Sequence, residues 1–234
     1  MALPKKIDPC PIIDALVELR FSTKLPHGAV FGVIYSALQK QFPKNEKLPI
    51  LQVPEPFRDA DPNFRYKPHY KAYNEDYVLQ IGPEVVSISS YPGYNGWENF
   101  SNVIFDYFKK IKGLGIINNV SRVGIRYINF FETNVFNNVS LEIDLHGKAL
   151  TDNNSFFRTE ITHDDFTSNL QIGNNITQNK RIGSIIDIDT FKSFTDSEFF
   201  NEMEVIINRG HEFEKSLFFS LLKKEYLNTL NPVF

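Results

Sequence analysis

Two arginines stand four residues apart in an alternating run from Asn119 to Phe131. Val123, Ile125 and Tyr127 occupy one parity, and Arg122, Gly124 and Arg126 the other. A period of two is the period of a β-strand, so both guanidinium groups should lie on one sheet face, about 13 Å apart along the backbone. Such a pair can hold phosphate or carboxylate through forked hydrogen bonds. Ion pairing with Glu18, Asp187 or Asp189 on neighbouring strands is the plainer reading, and the one the sequence favours, because polar sheet faces commonly carry such pairs. Asp187 and Asp189 alternate with Ile186 and Ile188. On a strand they share a face about 6.5 to 7 Å apart, a spacing that could serve a divalent metal if further oxygens joined them. A third constellation runs from Phe64 to Tyr73, with Arg65, Lys67, His69 and Lys71 interleaved among Phe64, Tyr66, Pro68, Tyr70 and Tyr73. Basic groups among aromatic rings suit single-stranded nucleic acid. A charged edge strand that blocks edge-to-edge association is the competing and favoured reading.

The remaining titratable groups form no catalytic pattern. His211-Glu212 lacks the second histidine of His-Glu-x-x-His, since Lys215 follows Phe213 and Glu214. His163-Asp164-Asp165 has no coherent ligand spacing. There is no nucleophile elbow, P-loop or dinucleotide fingerprint. The chain has one cysteine, Cys10, so it forms no intramolecular disulfide and no multi-cysteine zinc site. No cofactor is implied.

These residues need elements to position them. Ile13, Ala15, Val17, Leu19 and Phe21 alternate with Asp14, Glu18 and Arg20, which predicts a first strand over 12–21. A helix over 27–42 follows from the stripe Phe31, Ile34, Tyr35, Leu38 and Phe42, with Pro43 as its stop. The proline-rich stretch 43–62 reads as a long loop with a short edge strand near Ile50 to Val53. Segment 64–73 reads as an edge strand, because Pro68 cannot donate to a ladder. Tyr77–Ile81 and Val85–Ser89 form a hairpin about Gly82-Pro83. Trp97, Phe100, Ile104, Phe108 and Ile111 give a helix over 96–112, with Glu98 in its first turn and lysines in its last. Residues 141–145 and 185–191 read as strands, and 156–172 as one long strand or a hairpin bent near Asp164, with a polar turn over 173–181. A long closing helix from Asp196 to Leu230 carries Phe199, Met203, Ile206, Phe213, Leu217 and Leu221 on one stripe, with Gly210 as a potential bend.

The expected fold is α+β: a mainly antiparallel sheet covered by helices, with a ferredoxin-like duplication and a long C-terminal helix. One domain over 1–234 is the reading, with 1–131 and 132–234 as potential subdomains. An apolar content of 42 % over 234 residues supports a sizeable core. A net charge of −3 argues against indiscriminate attraction to nucleic acid or anionic membrane. No signal core and no run of about 18 apolar residues is present, which predicts a cytoplasmic protein that does not span a membrane.

The segments PCPIIDALVELRF, LQIGPEVVSIS, YPGYNGWENF, SRVGIRYINFF and SIIDIDTF, in this order, resemble a sporadically distributed bacterial family whose function is uncharacterised. The resemblance implies a bacterial, single-domain cytoplasmic protein and brings no catalytic residues. Its patchy distribution is common among genes of mobile or defence loci. The first functional expectation is a non-enzymatic interaction protein. The closing helix would meet a protein partner or a second copy, since Phe200, Ile207 and Phe218 lie off its main stripe and need a second surface. A nucleic-acid-binding module using Arg65, Lys67, Lys71, Arg122 and Arg126 is the alternative. A metal-dependent phosphoryl-transfer enzyme or nuclease using Asp187 and Asp189 is the third.

Overall fold

The alternation in segments 12–21 and 119–131 places them side by side at the centre of one sheet. A computed structural model describes residues 3–149, 154–195 and 197–234. Strand β1 (Ile12–Ser22) pairs antiparallel with β6 (Asn119–Phe131), Val17 opposite Ile125 and Glu18 opposite Gly124. The other strands are β2 (Lys44–Lys47), β3 (Tyr70–Tyr73), β4 (Tyr77–Ile81), β5 (Val85–Ser90), β9 (Phe156–His163), β10 (Phe166–Gln178) and β11 (Arg181–Ser193). They form one nine-stranded sheet in the order β2-β3-β4-β5-β1-β6-β11-β10-β9. Every neighbouring pair is antiparallel. A separate two-stranded ribbon joins β7 (Asp144–Leu145) to β8 (Lys148–Ala149).

Apolar parity decides which sheet face is covered. Ala15, Val17, Leu19, Val123 and Ile125 are fully buried beneath α1 (His27–Leu38) and α3 (Trp97–Gly113), which contribute Val30, Ile34 and Leu38, and Phe100, Ile104 and Phe108. Helix α4 (Met203–Leu221) joins them on this face. Its first half packs Met203, Ile206 and Ile207 into the same cluster, and its second half packs Leu217 and Phe218 into another built on Leu170, Ile172, Ile186 and Ile188. A short helix α2 (Glu55–Ala60) lies between β2 and β3, and α5 (Lys224–Thr229) follows α4. No described helix is long and apolar enough to cross a membrane.

Several expectations require correction. The sheet shows no ferredoxin-like duplication: α1 lies between β1 and β2 and α3 between β5 and β6, but β9, β10 and β11 follow one another with no helix between them. The stretch 43–62 is structured: Lys44–Lys47 is the edge strand, and Pro49–Gln52 is a 3-10 turn. Segment 64–73 is a strand only from Tyr70, and β2 covers its outer edge. The polar turn expected over 173–181 shrinks to Asn179 and Lys180, because β10 and β11 run on to Gln178 and from Arg181. The closing helix is not continuous. A 3-10 turn (Ser197–Asn201) precedes α4, and the chain turns extended at Leu222 and Lys223 before α5. That break has a cause outside the helix: Val139 forms a β-bridge with Leu222, Ser140 N–H donates to the Leu221 carbonyl, and Lys223 N–H donates to the Asn138 carbonyl. The side chains expected to need a partner surface are covered by their own chain: Ile207 and Phe218 are buried, and Phe200 packs partly buried against the first cluster. Val205, 59 % exposed, is the large apolar side chain α4 leaves in solvent.

Gly210 does not break α4, which runs unbroken from Met203 to Leu221; it lets the helix approach the sheet. A Cβ there would meet Ile125 Cδ1 at 2.5 Å and Phe166 Cε1 at 3.1 Å, both in the fully buried core. Replacing a helical glycine by alanine ordinarily stabilises by about 0.5–1 kcal/mol, whereas overpacking a core costs about 1–3 kcal/mol. Gly210→Ala is therefore expected to lower the unfolding free energy by about 1 kcal/mol. Gly32→Ala on α1, where the new methyl meets nothing within 4 Å, is expected to raise it. Denaturant unfolding of both variants checks the opposite signs.

Candidate functional site

At the junction of the two hydrophobic clusters the covered face of the sheet is not filled. A cavity of about 720 Å³ opens there. Its walls are the opening segment 5–12, the turn Tyr94–Gly96 with the first turn of α3, Tyr127 and Asn129 of β6, and the side of α4 that carries His211, Glu214 and Phe218. The opening segment has no regular structure of its own before Ile12, so other parts of the chain hold it. Lys5 N–H donates to the Val233 carbonyl at 2.6 Å, Asp8 N–H donates to the Leu230 carbonyl at 2.8 Å, and Asn231 Nδ2 donates to the Asp8 carbonyl at 2.9 Å.

A chain of polar groups crosses the cavity wall. The Tyr94 and Tyr127 hydroxyls are 3.3 Å apart, and the Tyr127 hydroxyl is 3.0 Å from His211 Nδ1. Trp97 stacks on the His211 ring, 3.9 Å between centroids and 9° between planes, and its Nε1 donates to Asn208 Oδ1 at 2.9 Å. The stack and the hydrogen bond fix the indole between α3 and α4. Burial, reinforced by the Lys215 charge, depresses His211 to about 3, so the imidazole is neutral at physiological pH. Burial also raises the Tyr94 and Tyr127 hydroxyls well above the ordinary tyrosine value.

Glu214 lies three residues beyond His211 and so on the same helix face. It is 4 % exposed, and among the described residues no hydrogen bond or ion pair reaches it. Burial alone raises its carboxyl well above the usual carboxylate range. Burial therefore favours the protonated form, which offers one O–H donor and one carbonyl acceptor.

The residues singled out in the sequence lie elsewhere. Arg122 and Arg126 project from the opposite sheet face, at the other parity from Tyr127. Arg126 forks onto Asp187, Nε to Oδ1 at 2.8 Å and Nη2 to Oδ2 at 2.6 Å. Arg122 donates to Glu18 at 3.1 Å and to Asp189 at 2.6 Å, with its guanidinium 4.3 Å above the Phe191 ring. Gly124 leaves room for it, since a Cβ there would stand 2.5 Å from Arg122 Nη1. Asp187 and Asp189 are thus both held by arginine. Among the described residues no three or more His, Cys, Asp or Glu side chains cluster as a metal site would require. Arg65, Lys67 and Lys71 do not line one strand face. Arg65 and Lys67 fall in the turn after the 3-10 segment Pro62–Phe64, where Arg65 pairs with Glu84 and Lys67 is exposed. Lys71 alone lies in β3 and pairs with Glu46 at 2.7 Å. The expected alternation fails because a 3-10 turn and the Pro68 link precede the strand.

Sequence reasoning missed Tyr94, Trp97, Tyr127 and Glu214 as one site and found in His211-Glu212 only an incomplete metal motif. One signal was present: a histidine and a glutamate, three apart, interrupt the apolar stripe of α4 between Ile207 and Phe218. The sequence matches no protein-family model and no curated protein.

The Arg126–Asp187 pair gives a test of the charged face. The Asp187 side chain is 6 % exposed and that of Arg126 38 %, so solvent screens one end of the pair. Arg126→Met strands the carboxylate and is expected to cost about 1.5–3 kcal/mol. Arg126→Met with Asp187→Leu is expected to recover most of that loss, as read by a double-mutant cycle of unfolding free energies.

Proposed function

We propose that this protein is a non-catalytic binding protein and that the cavity between α3, α4 and the opening segment takes a small organic ligand. The observation that carries this reading is Glu214, a carboxyl 4 % exposed, without a partner among the described residues, in the wall of a cavity of about 720 Å³. Protein interiors pair nearly all their buried polar groups with protein or water, so a carboxyl left without a protein partner beside an open cavity is free to pair with whatever enters it. The volume falls within the range of about 300–1,000 Å³ typical of small-molecule sites.

The protonation states support binding over catalysis. General acid–base chemistry needs a group that titrates near the working pH. Here burial depresses His211 to about 3 and raises the Tyr94 and Tyr127 hydroxyls well above the ordinary tyrosine value, away from neutrality, and it raises Glu214 toward its uncharged form. These groups offer donors and acceptors on an aromatic frame, with Lys5, Lys6, Lys215, Asp8, Glu98 and Glu212 also lining the cavity. On the opposite face Arg122 and Arg126 already have carboxylate partners, which weighs against an open anion site there.

Trp97 is the single tryptophan of the chain and lines the cavity, so its emission reports occupancy. Small aromatic fragments are expected to shift that emission and raise the melting temperature together. Glu214→Met, which removes the unpaired carboxyl, is expected to stabilise the unliganded protein by about 1–3 kcal/mol. Because the folded chain keeps the Glu214 proton above its ordinary value of 4.5, its contribution to stability is present below that value and is lost as pH rises through the folded-state value. The gain from Glu214→Met should therefore grow with pH over the same window. Fragments that leave both emission and melting unchanged, together with a destabilised Glu214→Met, would contradict the proposal.

A further inference from the structure

We infer that the cavity recognises an uncharged, flat aromatic carboxamide or lactam, whose amide edge meets the Glu214 carboxyl; this rests on the cavity being a ligand site. Two chemistries could complete a buried carboxyl. An organic cation would pair with its ionised form, and an amide would pair with its protonated form through two antiparallel hydrogen bonds, O–H to the amide carbonyl and amide N–H to the acid carbonyl.

The cation must carry its own charge out of water and force Glu214 to ionise in the same apolar wall, and the attraction between them has to offset both penalties. The amide demands neither. The charged groups around the cavity do not alter that balance. Lys5, Lys6 and Lys215 stand against Asp8, Glu98 and Glu212, three of each sign, so the rim selects no net charge. The rest of the wall favours a flat ring. Trp97, Tyr94, Tyr127, Phe218 and Phe219 supply aromatic surface, and aromatic pairs favour offset or edge-to-face contact with an aromatic guest.

The test compares benzamide with benzamidine, two probes of nearly the same shape, one neutral and one cationic, with toluene as the purely apolar probe. Binding is measured by calorimetry and ligand-observed NMR across about pH 6 to pH 9, on the full chain. Tyr94 and Tyr127, facing Glu214 from the turn and from β6, and His211 on its own helix stay uncharged in that range. The exposed Cys10 thiol on the opening segment is replaced by serine in every protein used, so that it does not titrate. Benzamide is expected to bind about tenfold or more tightly than benzamidine while Glu214 is protonated, and to weaken once the pH is high enough to remove that proton. Glu214→Gln, which keeps a donor and an acceptor, should bind benzamide without that pH dependence, and Glu214→Met should lose about tenfold. Tighter benzamidine binding that strengthens with pH would overturn the inference in favour of a cation site and leave the ligand-site reading intact. So would toluene binding with no preference for benzamide, or equal benzamide affinity in the native chain and in Glu214→Met. Failure of all three probes to bind would overturn both.

Discussion

The register of β6 between β1 and β11 is the constraint on which everything else rests. Side chains alternate across a sheet, so a slip of one residue would drive Arg126 into the helix-covered core and put Tyr127 on the charged face. Contacts on both faces oppose that slip. On the open face Arg126 forks onto Asp187 of β11, and Arg122 bridges Glu18 of β1 to Asp189 of β11, so three strands are tied by charge-assisted hydrogen bonds. On the covered face Gly210 lets α4 settle against Ile125. The Tyr127 hydroxyl reaches His211 because this register holds.

From that register the cavity follows as a joint between two cores. The first cluster packs α1 and α3 against the first half of the sheet, the second packs the end of α4 against β10 and β11, and α4 runs through both. Where the clusters meet, Trp97 and Tyr127 belong to one and Phe218 to the other, and the opening segment closes the side, held by residues 230–233. A chain selected only for stability would place an apolar side chain at position 214. On the proposed ligand reading, the buried acid at that position is the kind of local stability cost that functional sites carry.

Much of the scaffold was legible because its signals are local. The alternation of segments 12–21 and 119–131 and the stripe Phe100, Ile104, Phe108, Ile111 are each local in the chain, and Arg122 and Arg126, like Asp187 and Asp189, stand opposite the apolar parity of their strand, which anticipated their pairing. What escaped was set by distant chain. Helix α4 stops because residues 138–140 pair with 221–223, a competition invisible in the helical pattern. The strands β10 and β11 outrun their apolar stretch because they pair with each other through polar residues such as Gln178 and Arg181. The cavity escaped for the same reason. Trp97 and Asn208 are 111 residues apart and Tyr127 and His211 are 84 apart, so no window of sequence contains the site.

The protonation state of Glu214 tests this account most directly. Carbon-13 NMR of the native protein, labelled at the glutamate side-chain carboxyl carbons, follows each carboxyl through a pH titration, and Glu214→Gln assigns the resonance of interest. The account predicts one glutamate that keeps the chemical shift of the protonated acid to a higher pH than the other glutamates and vanishes in the variant. A spectrum in which the resonance lost in Glu214→Gln titrates in the ordinary carboxylate range would contradict it, because an ionised Glu214 needs a partner or an exposure that this structure does not give it.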